Sequence, residues 1–306
     1  MSKAKNWPAT CARLAGCGKT RPAELRNRAA TLTCHFQKSL QCGMAEGVKH
    51  FYDQLASNYH LIFEDWDSSI KRQAAALGAI LKRECGAPSA LRILDCACGI
   101  GTQTLGLAGL GFTVTACDLS PASLERTRVE AAKRRLNVQL FVADMLDLTE
   151  IPDGDFDAVI CMDNALPHLE SDDELFQAAT QIRRKLRADA SFMGSIRDYD
   201  NLVQERPVVQ GPAFYSDHGI RRIVHQVWDW SDERHYAFHL YITREVQSGW
   251  ETQHYVSSYR AVLRAEFSRI LQAAGFVNCR WISTAESGFY QPIVLAKASR
   301  LPDKVK

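Results

Sequence analysis

No stretch of the 306-residue chain approaches the roughly 20 consecutive apolar residues that a membrane-spanning helix needs, and the N-terminus has no apolar block of the secretory kind. A protein with no membrane contact and a cytoplasmic location is expected. None of the ten cysteines is spaced as Cys-x-x-Cys, and the nine histidines include no His-Glu-x-x-His. No metal is expected, and the thiols are read as reduced and mostly buried. Internal repeats are missing too. Acidic residues are scarce only at the start: residues 1–43 hold eight Lys/Arg against Glu24, whereas the remainder has 29 bases against 34 acids. The main body therefore lacks the clustered positive charge of a phosphate-tracking surface, and no nucleic-acid partner is expected.

What is present is an ordinary globular composition, 46% hydrophobic and 24% charged, with a clear order of elements. Residues 1–43 read as a basic extension: a disordered leader, a transit peptide or sequence upstream of a natural start at Met44. A chain beginning at Met44 is expected to keep fold and ligand affinity. Residues 44–90 are read as helical. Phe51, Tyr52, Leu55, Tyr59, Ile62 and Phe63 recur at helical spacing, and a second helix over 70–83 follows the start signal Asp65-Trp66-Asp67-Ser68.

From residue 91 strands alternate with helices: strands over 91–96, 112–117, 138–142, 157–162 and 191–196, helices over 102–110, 121–135 and 172–186. That alternation predicts an α/β fold, doubly wound around a mainly parallel sheet. After Asp200 the period changes to two, in 222–230, 235–246 and 250–259, which predicts an antiparallel meander inserted at about 201–260 as a lid. A helix over 261–274 and strands over 277–282 and 293–297 then complete a seven-stranded sheet within a domain over 91–297.

The strongest local signal is Ile93-Leu94-Asp95-Cys96-Ala97-Cys98-Gly99-Ile100-Gly101-Thr102, a strand running into a glycine turn and a helix. Glycines there let backbone lie against a ligand, and the helix start offers free N–H groups. A dinucleotide fingerprint wants Gly or Ala where Thr104 stands, so nicotinamide and flavin cofactors are disfavoured. Asp118, 23 residues after Asp95, ends the next strand where a carboxylate can take both ribose hydroxyls. Asp144 and Met145 follow the third strand and suit an adenine amino group and ring. Each acid alone serves a turn or cap as readily.

With these motifs over about 48–297, the chain resembles the class I S-adenosylmethionine-dependent methyltransferases, which have a Rossmann-like fold. The segments Asp157–Leu169 and Ser195–Asp200 resemble those of the glycine and glycine/sarcosine N-methyltransferases. The resemblance implies S-adenosyl-L-methionine as cofactor, a small-molecule acceptor, and direct in-line methyl transfer to the amine of glycine, sarcosine or a related amino acid. It implies that Tyr59, Trp66, Arg72, Asp95, Ala97, Gly99, Gly101, Asp118, Leu119, Asp144, Met145 and Met162 bind the cofactor, with residues 44–90 covering it, and that Asn164, His168 and Arg197 face the acceptor. The chain departs from the group's Pro-Gly-Gly turn before the fifth strand, where Arg187-Ala188-Asp189-Ala190 stands.

Several assignments keep two readings. Arg72 pairs with a cofactor carboxylate or lies solvated on its helix. His168 assists proton transfer or packs after Pro167. Arg197 clamps an acceptor carboxylate or pairs with Asp198 or Asp200. The meander aromatics wall a pocket or build a core. For function, N-, O- or C-methylation of a larger specialised metabolite and cofactor binding without turnover stand as alternatives. A homo-oligomer stays open.

Overall fold

The computed structural model describes residues 44–86, 91–152, 155–217 and 219–299. The expected basic extension lies outside them, and the fold below is that of the compact unit 45–306. Helix α1 (Met44–Leu55) buries Val48, Phe51 and Leu55, one stripe at helical spacing. A 3-10 turn, Tyr59–Ile62, leads to α2 (Trp66–Cys85). The Asp65 side chain caps α2 by accepting from Ser68 N at 2.6 Å.

The alternating region folds as β1 (Arg92–Cys96), α3 (Thr102–Gly109), β2 (Thr113–Asp118), α4 (Pro121–Lys133), β3 (Val138–Val142), β4 (Phe156–Cys161), α5 (Asp172–Lys185) and β5 (Leu186–Ser195). Helix α6 (Tyr199–Glu205) then leads to β6 (Val209–Asp217), β7 (Ile220–Trp230), β8 (His235–Val246) and β9 (Gly249–Arg260). The chain closes with α7 (Arg264–Ala273), β10 (Phe276–Ile282), α8 (Thr284–Ser287) and β11 (Ile293–Ala298). The main sheet has seven strands in the order β10-β11-β5-β4-β1-β2-β3, with β11 antiparallel to both its neighbours. The α/β, doubly wound, mainly parallel architecture is as the alternation predicted. Because the chain runs outward from β1 to β3 and returns at β4, the strand order reverses between β1 and β4, and a crevice opens there at the carboxyl ends.

Period-two burial divides the core. Leu94, Cys96, Val159, Cys161 and Phe192 pack on the face covered by α5 and α7. Ile93, Ala158, Ile160 and Met193 pack on the face covered by α2 and α3.

Two details differ from the sequence reading. The meander has four strands rather than three, because Val209–Asp217 adds β6 at the edge. Gly211-Pro212 interrupts its alternation with a register shift between Gln210 and Ala213, and an edge strand tolerates the missing N–H of proline. No free turn precedes the fifth strand: β5 starts at Leu186 directly after α5, with Asp189 left-handed at φ 62° and a register shift opposite it in β4.

Candidate active site

The glycine turn after β1 is held by its neighbour strand. The N–H groups of Ala97 and Cys98 both donate to the Cys117 carbonyl, at 2.8 and 3.0 Å. Ala97, Gly99 and Gly101 are all left-handed, at φ 71°, 56° and 88°. At Gly99 the backbone is overlaid by Tyr59, whose ring would lie 3.5 Å from an added Cβ. Gly101 is different. A Cβ there would meet Thr127 Cγ2 at 2.7 Å, so this glycine serves the packing of α3 against α4 rather than space for a ligand.

Asp118 ends β2 with one carboxylate oxygen accepting from Gly99 N at 2.8 Å and the other from Ser120 N at 2.9 Å. Each oxygen keeps a second lone pair, so the pair can still accept hydroxyls. Burial pushes the Asp118 acid up to about 6 and the Asp95 acid up to about 7. Asp95 accepts the Thr104 hydroxyl at 2.6 Å. Leu119, next to Asp118, is half-buried. Asp144 accepts from Leu146 N at 2.9 Å, closing its own turn, and Met145 is packed into the core beside it.

The covering segment is fastened on three sides. Asp53 of α1 accepts the Ser120 hydroxyl at 2.6 Å at the start of α4. Asn58 donates to the Tyr255 hydroxyl at 3.1 Å. Buried Arg222 of β7 donates to the carbonyls of Leu61, Phe63 and Glu64. Three expected cofactor residues lie elsewhere. Trp66 donates to Thr102 Oγ1 at 2.9 Å and packs with Ile70, Ile100, Leu105 and Ala131, joining α2 to α3. Met162 belongs to the α2-side core, because it follows Cys161 in a period-two strand and points to the opposite face. Exposed Arg72 donates to Ser69 Oγ at 3.0 Å, in line with the solvated helix-face reading.

A cavity of about 340 Å³ opens beneath this segment, with Tyr52, Tyr59, Asp163, Arg197, Trp228 and Phe238 in its wall. That size suits a small ligand. The Arg197 guanidinium stands 4.8 Å from the Trp228 ring centroid, 5.1 Å from Tyr259 and 5.2 Å from Phe238. Its Nη1 donates to the Tyr236 hydroxyl at 2.8 Å. Among the described residues no carboxylate is within ion-pair distance of it. Asp198 and Asp200, the local acids of the alternative reading, both pair with Arg264. Burial opposes the cation, but the surrounding phenols raise the Arg197 pKa above its ordinary value.

Asn164 and His168 hold this arrangement instead of facing the cavity with free atoms. Asn164 Oδ1 accepts from Arg197 N at 3.0 Å, and its Nδ2 donates to the Tyr199 hydroxyl at 3.0 Å. Tyr199 and Tyr236 share a hydrogen bond at 2.8 Å, which closes a ring back to the Arg197 side chain. His168 Nδ1 lies 3.1 Å from the Ser258 carbonyl and therefore carries the proton, so Nε2 accepts from Tyr52 at 2.9 Å. Burial holds this imidazole down at about 3. A neutral ring with both nitrogens engaged is a structural tie, which corrects its assignment as a proton-transfer group. Sequence reasoning missed Tyr52, Asp53, Asp163 and Tyr236. Only the aromatic enrichment of the meander pointed toward the last.

The residues present fit S-adenosylmethionine. Asp118 offers lone pairs to hydroxyls, and Gly99 under Tyr59 forms a backbone cradle. Residues 93–189 match the family model described as a methyltransferase domain. The chain is 31% identical over 140 residues to a glycine/sarcosine N-methyltransferase of Parasynechococcus marenigrum (strain WH8102), covering 46% of this chain and 48% of that protein. It is 24% identical over 270 residues to the glycine N-methyltransferase of Homo sapiens, covering 81% and 90%. Among solved structures, a SAM-bound amino pentose methyltransferase of Micromonospora echinaspora superposes with a TM-score of 0.60 at 21% identity, covering 76% and 92%. In its first three matches to curated relatives the chain spans 48%, 61% and 59% of their length. Residues 93–189 thus resemble a methyltransferase domain, in a chain that is similar to the class I S-adenosylmethionine-dependent methyltransferases of the glycine and glycine/sarcosine N-methyltransferase group.

Proposed function

We propose that the chain is an S-adenosylmethionine-dependent methyltransferase whose acceptor is a small amine bearing a carboxylate, of the glycine or sarcosine kind. One observation carries the acceptor reading: Arg197 is a half-buried cation with three aromatic rings and one phenol beside it and, among the described residues, no acid within ion-pair distance. A guanidinium so placed presents a fork of donors to a bidentate anion, which a point charge would match less well.

When bound, S-adenosylmethionine supplies a methyl group already activated on a sulfonium. Asp118, Asp144 and the backbone at Ala97 and Gly99 are the residues proposed to hold it, with Tyr59 above the turn and Leu119 and Met145 at the nucleoside end. The chain's further task is to align an amine lone pair and keep water out. Arg197 orients the carboxylate, and the ring through Asn164, Tyr199 and Tyr236 fixes Arg197. Tyr52, Tyr59 and the meander aromatics seal the cavity. No base is needed for an amine that arrives neutral.

A second reading takes an amino sugar or other specialised metabolite. It is supported by the likeness to the amino pentose methyltransferase and by the aromatic walls contributed by β7, β8 and β9. Release of S-adenosylhomocysteine with a panel of amino acids, carboxylate-free amines and amino sugars tests the proposal. Turnover with glycine or sarcosine and none with methylamine is the expected result. Turnover confined to amino sugars would favour the second reading, and tight binding of S-adenosylhomocysteine with no turnover would mark a non-catalytic binder.

A further inference from the structure

Asp163 is the one cavity-lining anion that the reading above leaves without a role. It follows β4 at the crevice where the strand order reverses, and it has an unusual backbone. Asp163 and Asn164 are consecutive non-glycine residues in the left-handed region, at φ 56° and 67°. Consecutive left-handed residues other than glycine are uncommon and persist where the surroundings hold them. Here Asp163 N donates to Ser195 Oγ at 2.9 Å, and Asn164 Oδ1 receives Arg197 N, so both residues are pinned to the end of β5. The strained turn keeps the Asp163 carboxylate in the wall of the same cavity as the Arg197 guanidinium.

The partners of that carboxylate are all neutral. One oxygen accepts the Tyr290 hydroxyl at 2.6 Å, and the other accepts Gln103 Nε2 at 2.7 Å. Gln103 spends its second amide hydrogen on Gln73 Oε1, at 2.6 Å, so the chain from α2 through α3 orients the acid without cancelling its charge. No Lys, Arg or His among the described residues pairs with Asp163. A carboxylate has about four lone-pair positions, and two remain. Burial raises its pKa, as befits an acid without a counter-ion. The cavity thus shows a separated anion and cation, each lacking a partner of opposite sign among the described residues.

We propose that Asp163 receives an α-ammonium group, as the counterpart of Arg197. Two molecules could bring that group: the amino-acid end of S-adenosylmethionine, or an amino-acid acceptor, which would bind as the ammonium and pass one proton to the Asp163 carboxylate before its lone pair reacts. The inference rests on the proposed function, since both molecules come from it.

Calorimetry with the full chain and its Asp163→Asn variant tests it. Asparagine keeps the shape and tolerates the left-handed backbone, but it removes the charge. The probes are S-adenosylhomocysteine, 5′-methylthioadenosine, which has the nucleoside but no amino acid, and glycine titrated into protein saturated with S-adenosylhomocysteine. A loss of about tenfold to a hundredfold for S-adenosylhomocysteine, with methylthioadenosine unchanged, would support the inference and assign the ammonium to the cofactor. A loss of that size confined to glycine would support it and assign the ammonium to the acceptor. Equal loss of both nucleosides would mean that Asp163 only maintains the cleft, and unchanged binding of every probe would leave it no ammonium; either result overturns the inference. Wild-type protein that binds neither nucleoside would overturn the proposed function, and the inference with it, before any variant is considered.

Discussion

Tyr52 and His168, 116 residues apart, are joined by a hydrogen bond of 2.9 Å that ties the first helix to the loop after β4. The imidazole is neutral, with its other nitrogen on Ser258. Replacing Tyr52 by Phe leaves Nε2 buried without a donor, and a loss of about 1 to 3 kcal/mol in urea unfolding is expected.

The same tie fixes a pH dependence. The His168 pKa falls from 6.5 to about 3 on folding, so between those values the unfolded chain binds more protons and native stability is lost as pH is lowered. The stability difference between wild type and His168→Gln should therefore shrink as unfolding is measured from pH 7 down to 4.5. A pH–rate limb near 6.5 that His168→Gln abolishes would contradict this account.

Asp118 and Asp95 titrate in the opposite sense. Their acids are raised to about 6 and about 7, so below neutrality the folded protein without ligand holds protons that the unfolded chain lacks, and these two groups favour the fold as pH falls toward 3.8. Ligand hydroxyls that donate to ionised Asp118 displace its proton. S-adenosylhomocysteine affinity should then rise with pH from 5 to 8. Asp118→Asn should weaken it by about tenfold to a thousandfold and flatten that rise, as read by calorimetry.

Gly101 provides a test that separates packing from ligand space. At φ 88°, with Thr127 Cγ2 in the path of a Cβ, Gly101→Ala should cost about 1 to 3 kcal/mol of stability. Thr127→Ser removes the obstructing methyl and keeps the hydroxyl that donates to the Gly99 carbonyl at 2.9 Å. Thermal unfolding should show the double variant recovering part of the loss. No recovery would mean that the left-handed backbone alone sets the cost.

Much of this was legible from the chain because it is local. Strand–helix alternation set out the parallel sheet, and Asp95, Gly99 and Asp118 lie at the strand ends where the spacing put them. Arg197 directly follows an apolar strand and emerges at its carboxyl edge. What escaped depends on partners far along the chain. Asn164 looks like an acceptor contact until its amide is seen spanning Arg197 N and Tyr199. Trp66 and Met162 carry the right residue types, but helix packing for one and strand periodicity for the other turn them into core. Asp163 reads as an ordinary turn acid, because nothing local announces that its partners, Gln103 and Tyr290, are neutral.

The account's central claim is that Arg197 binds the acceptor through a carboxylate, and steady-state kinetics of its variants with a carboxylate-bearing amine test it most directly. Arg197→Ala should lose roughly 2 to 5 kcal/mol in kcat/KM, with S-adenosylhomocysteine affinity nearly unchanged. Arg197→Lys should recover only part, since an ammonium cannot reproduce the guanidinium fork. A variant lacking the guanidinium that methylates such an amine as fast as the wild type would contradict the claim.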